Sequence, residues 1–212
     1  RPGVPGEVRN RQVMVLILKD IQARYGAITA LRGISIEVQE GELVGFLGPN
    51  GAGKSTTLRM LYPLLKPESG SAQVDGFDVR ESPLEVQKRI GVLADARGLY
   101  PRLTTRENIR YYGRLHSLEG DALEKQIDSL IHLLDMQSIA DRKTDGFSTG
   151  EKLKVAIARA LVHNPKNVLL DDHGMSQETF DKLESLAAHM PVLANILSQV
   201  ETLDGRFFLP EE

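Results

Sequence analysis

The stretch Gly48-Pro49-Asn50-Gly51-Ala52-Gly53-Lys54-Ser55 has the spacing G-x-x-x-x-G-K-[ST]. Glycines in such a loop let the backbone curl, so that successive N–H groups point at phosphate oxygens. A helix starting at Lys54 adds its positive N-terminus to the same anion. The Lys54 ammonium reaches the β- and γ-phosphates of a nucleotide, and the Ser55 hydroxyl is a ligand for Mg²⁺. Thr56 extends the polar run into the helix. A plain Gly-rich turn would explain the glycines but not the lysine and hydroxyl after them. An apolar strand, Leu43–Leu47, precedes the loop and a helical stretch, Lys54–Leu61, succeeds it, which is the context a phosphate loop needs.

A second feature fits the same chemistry. Val168-Leu169-Leu170 is an apolar strand that runs into Asp171. If that strand lies beside the one before the phosphate loop, Asp171 stands next to the metal. Apolar strands ending in aspartate are common, so this feature draws its weight from the loop upstream. His116, His132, His163 and His189 have no metal-ligand spacing and read as surface or helix-end residues. Among the lysines only Lys54 is assigned chemistry.

Bulk properties narrow the field. The chain has 212 residues, 41% hydrophobic and 26% charged, and a net charge of −3. That size suits one domain with an insertion. The balance of charge gives no basic field for nucleic acid. There is no cysteine, which excludes disulfides and thiolate metal sites. The apolar run Val13–Leu18 falls far short of the ~20 residues that cross a bilayer, and it is too short for a signal-peptide core. An opening Arg1 in place of Met reads as a fragment or processed chain.

The elements that must carry these residues have an α/β pattern. Residues 1–12 read as a flexible tail rich in Pro and Gly. Val13–Leu18, Ile34–Val38, Leu43–Leu47, Ile90–Leu93 and Val168–Leu170 read as strands. Ser82-Pro83-Leu84-Glu85 reads as a capping box opening a helix to Arg89. From about 100 to 147 the pattern turns to helix after helix, with N-terminal signatures at Thr104/Glu107 and Asp121/Glu124. Ile127, Leu130, Ile131 and Leu134 form one apolar stripe there. Ser148 with Glu151 caps a further helix to His163, and another helix is expected over Gln177–His189.

On these residues the chain resembles the ABC ATPases over Leu16 to Leu209. Gly45 to Arg59 is very similar to that family's Walker A. Phe147-Ser148-Thr149-Gly150-Glu151, with the helix Lys154–Leu161 behind it, resembles the signature motif that separates ABC ATPases from other phosphate-loop proteins. Ser148 and Gly150 match, while Thr149 stands where glycine is usual and Glu151 where glutamine is usual. Tyr25 matches the aromatic that stacks on adenine; a half-buried strand tyrosine is the alternative. The run Asp95–Thr104 resembles the sodium-extruding (NatA-like) branch, and Asp95 lies near the family's coupling glutamine. An aspartate offers oxygen to Mg²⁺, so Asp95 joins Ser55 and Asp171 as a candidate metal ligand.

The resemblance implies a fold: a P-loop NTPase (RecA-like) core, an antiparallel β subdomain and an inserted helical subdomain, in one nucleotide-binding domain over 13–212. It implies ATP and Mg²⁺ as cofactors. The ATP-binding set would be Tyr25, Gly48, Pro49, Asn50, Gly51, Ala52, Gly53, Lys54, Ser55, Thr56, Ser148 and Gly150. It implies a homo- or heterodimer of nucleotide-binding domains, a transmembrane permease partner, no nucleic acid, and a cytoplasmic place on the inner face of the membrane.

The catalytic half departs from the family. Lys54 and Asp172 are the catalytic candidates, but Asp172 stands where a glutamate polarises the attacking water. It is one methylene shorter. His173 fills the place of a proline, the loop after it is shortened, and Asn195 occupies the place of a histidine that contacts the γ-phosphate. Two readings arise: an exporter subunit that couples ATP binding and hydrolysis to transport, or a hydrolysis-impaired regulatory or structural module. A soluble ABC protein acting on ribosomes or DNA fits the mildly acidic charge less well. A GTPase is disfavoured because no Asn-Lys-x-Asp motif is present.

Overall fold

The computed structural model describes residues 14–40, 44, 51–93 and 98–170. Strands β1 (Met14–Tyr25) and β2 (Ile28–Gln39) form a long antiparallel hairpin, extended by β3 (Ser69–Val74) and β4 (Phe77–Asp78) in the order β2-β1-β3-β4. The described part of the expected first strand, Met14–Leu18, is therefore only the first part of β1, and Val13 lies outside the described residues. The pair Lys19-Asp20 breaks the alternation in sequence. In the structure it is a bulge: Leu18 pairs with Ile36 and Ile21 with Ile34, so three steps on β1 face two on β2. Asp20 takes a positive φ of 53°, and its N–H donates to Ser35 Oγ at 3.0 Å. The extra residue keeps Leu18, Ile21 and Ala23 on the buried face and carries the strand on to Tyr25.

Strands β5 (Ile90–Leu93) and β6 (Asn167–Leu170) pair in parallel, Ile90 with Asn167 and Leu93 with Leu170. Parallel pairing requires a long crossover. Here it is made by α3 (Thr105–Leu115), α4 (Gly120–Leu133), a 3-10 turn at Gln137–Ile139 and α5 (Thr149–Leu161). The stripe Ile127, Leu130, Ile131 and Leu134 is buried as its spacing predicts, and it packs with Ile109, Phe147, Leu153 and Ile157 in one core. A second core joins the antiparallel sheet to helix α1 (Lys54–Leu61) and to Ile90 and Leu169. Helix α5 lies directly on β5. A Cβ at Gly91 would come within 2.5 Å of the Ala160 carbonyl oxygen, so only glycine allows this approach.

Two expected caps are not formed. Helix α2 (Pro83–Gln87) does start with Pro83, but the Ser82 side chain makes no cap bond. Glu85 instead takes Lys88 at 2.6 Å and Arg89 at 2.8 Å, and two charged partners outweigh one backbone amide. Helix α4 begins a residue before Asp121, which falls in its first turn rather than at the cap. Glu124 is drawn across to α3, where Arg110 grips both its oxygens at 2.6 and 2.8 Å. The boxes at Thr104/Glu107 and Ser148/Glu151 are formed in full, each with both reciprocal bonds.

Two of the histidines are helix-end residues as expected, and both are half-buried. His116 ends α3 and His163 lies just past α5; their rings stack in parallel with centroids 3.6 Å apart. His163 Nε2 lies 3.0 Å from the Ile90 carbonyl oxygen, so Nε2 carries the proton and donates. Its Nδ1 is buried with no hydrogen-bond partner among the described residues. Burial, and then the neighbouring His116, push the His163 imidazole down to about 4, and burial lowers His116 too.

The sign of the consequence is fixed by linkage. The folded chain refuses a proton that the unfolded chain accepts below about 6.5, so stability is full above that value and falls as pH drops toward 4. Discounting for the part of the ring that water reaches, His163 is expected to cost about 1 kcal/mol of unfolding free energy between pH 7 and pH 5. Urea unfolding at the two pH values checks this. His163→Phe should show a flatter dependence, and identical slopes would contradict the assignment.

Candidate functional site

The described part of the phosphate loop, Gly51 to Ser55, turns into α1 through two glycines with left-handed backbone. Gly51 has φ 91° and Gly53, the N-cap, has φ 86°. Gly53 is also hemmed in: a Cβ there would meet Leu31 Cδ2 at 2.4 Å and the Ala30 carbonyl oxygen at 2.9 Å. Glycine is thus required twice over, once by conformation and once by the contact with β2. Lys54 and Ser55 are the first two residues of α1. The N-cap residue, Gly53, has no side chain with which to cap this helix, and the first turn holds no acidic residue. The Thr57 N–H and hydroxyl both bond the Gly53 carbonyl, at 2.8 and 3.0 Å, which fixes the loop's exit. Thr56 and Thr57 are buried.

Tyr25 lies at the end of β1 and is 45% exposed. It is tied to the same helix. Arg59 of α1 is held in its charged form above all by a side-chain hydrogen bond with Tyr25. The candidate adenine aromatic and the candidate phosphate-binding helix are therefore joined by one polar contact.

Ser148 and Gly150 lie at the start of α5, whose buried residues Leu153, Val155, Ala156 and Ile157 belong to the other core cluster. The Ser148 side chain is exposed, and its Oγ accepts from the Glu151 N–H at 3.2 Å. Glu151 Oε2 accepts from the Ser148 N–H at 2.8 Å. That backbone bond, then the Ser148 hydroxyl and then the Arg142 guanidinium, hold the Glu151 carboxyl below the usual carboxylate range. Thr149, which replaces a usual glycine, is the first helical residue and has no positive φ, so a side chain is compatible with it.

The loop leading to Ser148 is zipped to the segment leading into α3. Thr104 bridges to Lys143, and Thr144 Oγ1 donates to the Tyr100 carbonyl at 3.0 Å. Asn108, fully buried, closes the turn: Nδ2 lies 3.0–3.3 Å from the carbonyls of Tyr100, Leu103 and Thr104, and Oδ1 accepts from the Tyr100 N–H at 2.9 Å. The segment entering α3 and the loop ahead of Ser148 therefore form one unit. Asn108, Arg59 and Arg142 carry no signal in the sequence, because their partners lie on other elements or, for Asn108, on the irregular turn that it closes.

Gly48, Pro49, Asn50, Asp95, Asp171 and Asp172 lie outside the described residues, as do Leu43, Gly45–Leu47, His173, the helix expected over Gln177–His189, and Asn195. Leu93 and Leu170 are partners at the same end of adjacent parallel strands. The carboxyl ends of parallel strands are where open α/β sheets bind ligands. Among the described residues there is no cluster of three or more His, Asp or Glu that could hold a metal, and no helix long and apolar enough to cross a membrane.

A family description of the ABC transporter matches residues 31–173, from β2 through the phosphate loop and signature to just past β6. The chain belongs to the ABC transporter family. This cassette is 45% identical over 152 residues to the ABC transporter ATP-binding protein NatA of Bacillus subtilis (strain 168), covering 71% of this chain and 62% of that protein. It is 34% identical over 157 residues to the Fe(3+) ions import ATP-binding protein FbpC of Vibrio cholerae, covering 74% of this chain and 44% of the relative. The chain thus spans less than two thirds of either relative. Its fold superposes on a dimeric ATP-binding cassette solved in a post-hydrolysis state with ADP and Pi, with a TM-score of 0.69 and 27% identity over 81% of this chain and 80% of the other. The P-loop NTPase fold with an antiparallel subdomain, expected from sequence, is the fold of these ABC cassettes.

Proposed function

We propose that this ABC cassette binds MgATP and acts as the nucleotide-binding subunit of an exporter, closing and opening with ATP binding and hydrolysis. The observation that carries the reading is the left-handed Gly53 wedged against Leu31, which fixes a helix N-terminus with Lys54 and Ser55 at its start. The main-chain amides from Gly48 to Thr56 would cradle the phosphates, and Lys54 would neutralise the β- and γ-groups. Tyr25 would stack on adenine. Ser55, Asp171 and Asp95 would offer the oxygen ligands that a hard cation such as Mg²⁺ prefers.

Ser148 and Gly150 open a helix in the other core cluster. In this reading they meet the γ-phosphate of a second cassette, in a homo- or heterodimer. The match to a dimeric cassette carrying ADP and Pi supports that arrangement. Residues 100–147 would be the arm that passes the movement to a transmembrane permease, placing the cassette on the inner face of the membrane. Export is read from Asp95–Thr104, which resembles the sodium-extruding branch. Asp172 would polarise the attacking water.

The alternative, a module that holds ATP and hydrolyses it poorly, is favoured by one specific feature: Asp172, the shortened loop and Asn195 all fall in the catalytic half, while the loop and signature are nearly intact. Nucleotide titration of the chain against its Lys54→Ala variant tests the shared premise. Equal affinities would contradict it.

A further inference from the structure

The signature helix carries a carboxylate beside the place where the proposed function brings a triphosphate. Glu151 stands where glutamine is usual in this family. Its two oxygens are both engaged: Oε2 accepts from the Ser148 N–H at 2.8 Å, and Oε1 accepts from Arg142 Nη1 at 3.2 Å. Arg142 comes from outside the helix. Its guanidinium lies over the buried Phe147 ring, 5.2 Å from the centroid, and its side chain remains 57% exposed. Its backbone is fixed as well, because the Arg142 carbonyl accepts from the Thr105 N–H and its own N–H donates to Ile139.

A glutamine at 151 could close the same capping box with its carbonyl oxygen and would bring no charge. A glutamate closes it better but leaves a negative charge within one helical turn of Ser148. That charge opposes an anion approaching the helix N-terminus, where the amides alone would attract it. Arg142 is the cation placed on the same carboxylate.

We propose that Arg142 is a positioning residue of the nucleotide clamp: by neutralising Glu151 it leaves the Ser148 hydroxyl and the α5 N-terminus able to receive the γ-phosphate of a facing cassette's nucleotide. The inference rests on the clamp reading above. It assigns Arg142 no contact with the nucleotide; it acts through Glu151.

A double-mutant cycle separates this role from simple loop stapling. The readout is association of the chain driven by a non-hydrolysable ATP analogue, monitored by sedimentation velocity, with a thermal melt of each variant as the folding control. Arg142→Gln should raise the analogue concentration needed for association by about 10-fold. Arg142→Lys, which keeps the charge, should stay near the unmodified chain. Glu151→Gln alone should associate at least as well as the unmodified chain. The double variant should return to within about twofold of it.

A staple would behave differently: removing either partner would weaken association, and the second change would not rescue the first. A double variant as weak as Arg142→Gln, or no loss in Arg142→Gln at all, would overturn the inference while leaving the clamp standing. Absence of analogue-driven association in the unmodified chain would overturn the clamp reading itself.

Discussion

Replacing Lys54 with alanine is expected to weaken ATP binding by about 100-fold, with little change in the stability of the fold. Lys54 is the first residue of α1, and the glycines before it hold the loop in a left-handed path that no other residue type adopts easily. A hydrogen bond from a charged group contributes ~1.5–3 kcal/mol, and each 1.4 kcal/mol is a factor of ten. One ammonium shared between the β- and γ-phosphates therefore accounts for about two decades. AMP, which lacks both groups, should bind the two forms alike. A fluorescent ATP analogue titrated against both forms, with AMP as competitor, reads all of this. The fold should survive the change, because the buried Leu58, Met60 and Leu61 anchor α1.

The second large effect concerns hydrolysis. Asp172→Glu is expected to raise the rate of phosphate release by about 10- to 100-fold. The added methylene returns about 1.5 Å of reach to the carboxylate, and misplacement near 1 Å costs a catalytic group about 100-fold. The rise should appear in turnover and not in the affinity for ATP, because the group acts on the attacking water. Phosphate release measured at saturating ATP for both forms decides between the two readings. A gain marks an ATPase slowed at one position. No gain, with binding intact, marks a module whose remaining departures at the shortened loop and Asn195 have already disabled the chemistry.

Much of the phosphate-binding end could be read directly from sequence because its determinants are local. A glycine that must be left-handed, a lysine and a serine fall within one turn, and the helix Lys54–Leu61 has the bounds that the spacing predicts. The capping boxes at Thr104 and Ser148 were legible for the same reason: donor and acceptor are three residues apart. Local pattern also misled. Ser82-Pro83-Leu84-Glu85 has the letters of a capping box, but Glu85 found two cations on its own helix face and the box was left open.

The hairpin of β3 and β4 carries a strong turn signal in Asp75-Gly76, both at positive φ, but β4 is two residues long and has no alternation to mark it as a strand. Contacts between distant elements left no trace in sequence. The His116–His163 stack joins residues 47 positions apart, and Asn167 reaches Asp75 across 92. The Arg142–Glu151 pair spans nine positions and a loop, beyond the period of any helix.

Hydrogen–deuterium exchange with and without ATP tests the central claim most directly, since it reports on the main-chain amides that are held to grip the triphosphate. Protection concentrated in the peptide covering Gly48–Thr56, and abolished by Lys54→Ala, is the expected result. ATP binding that leaves exchange in that peptide unchanged would contradict the account.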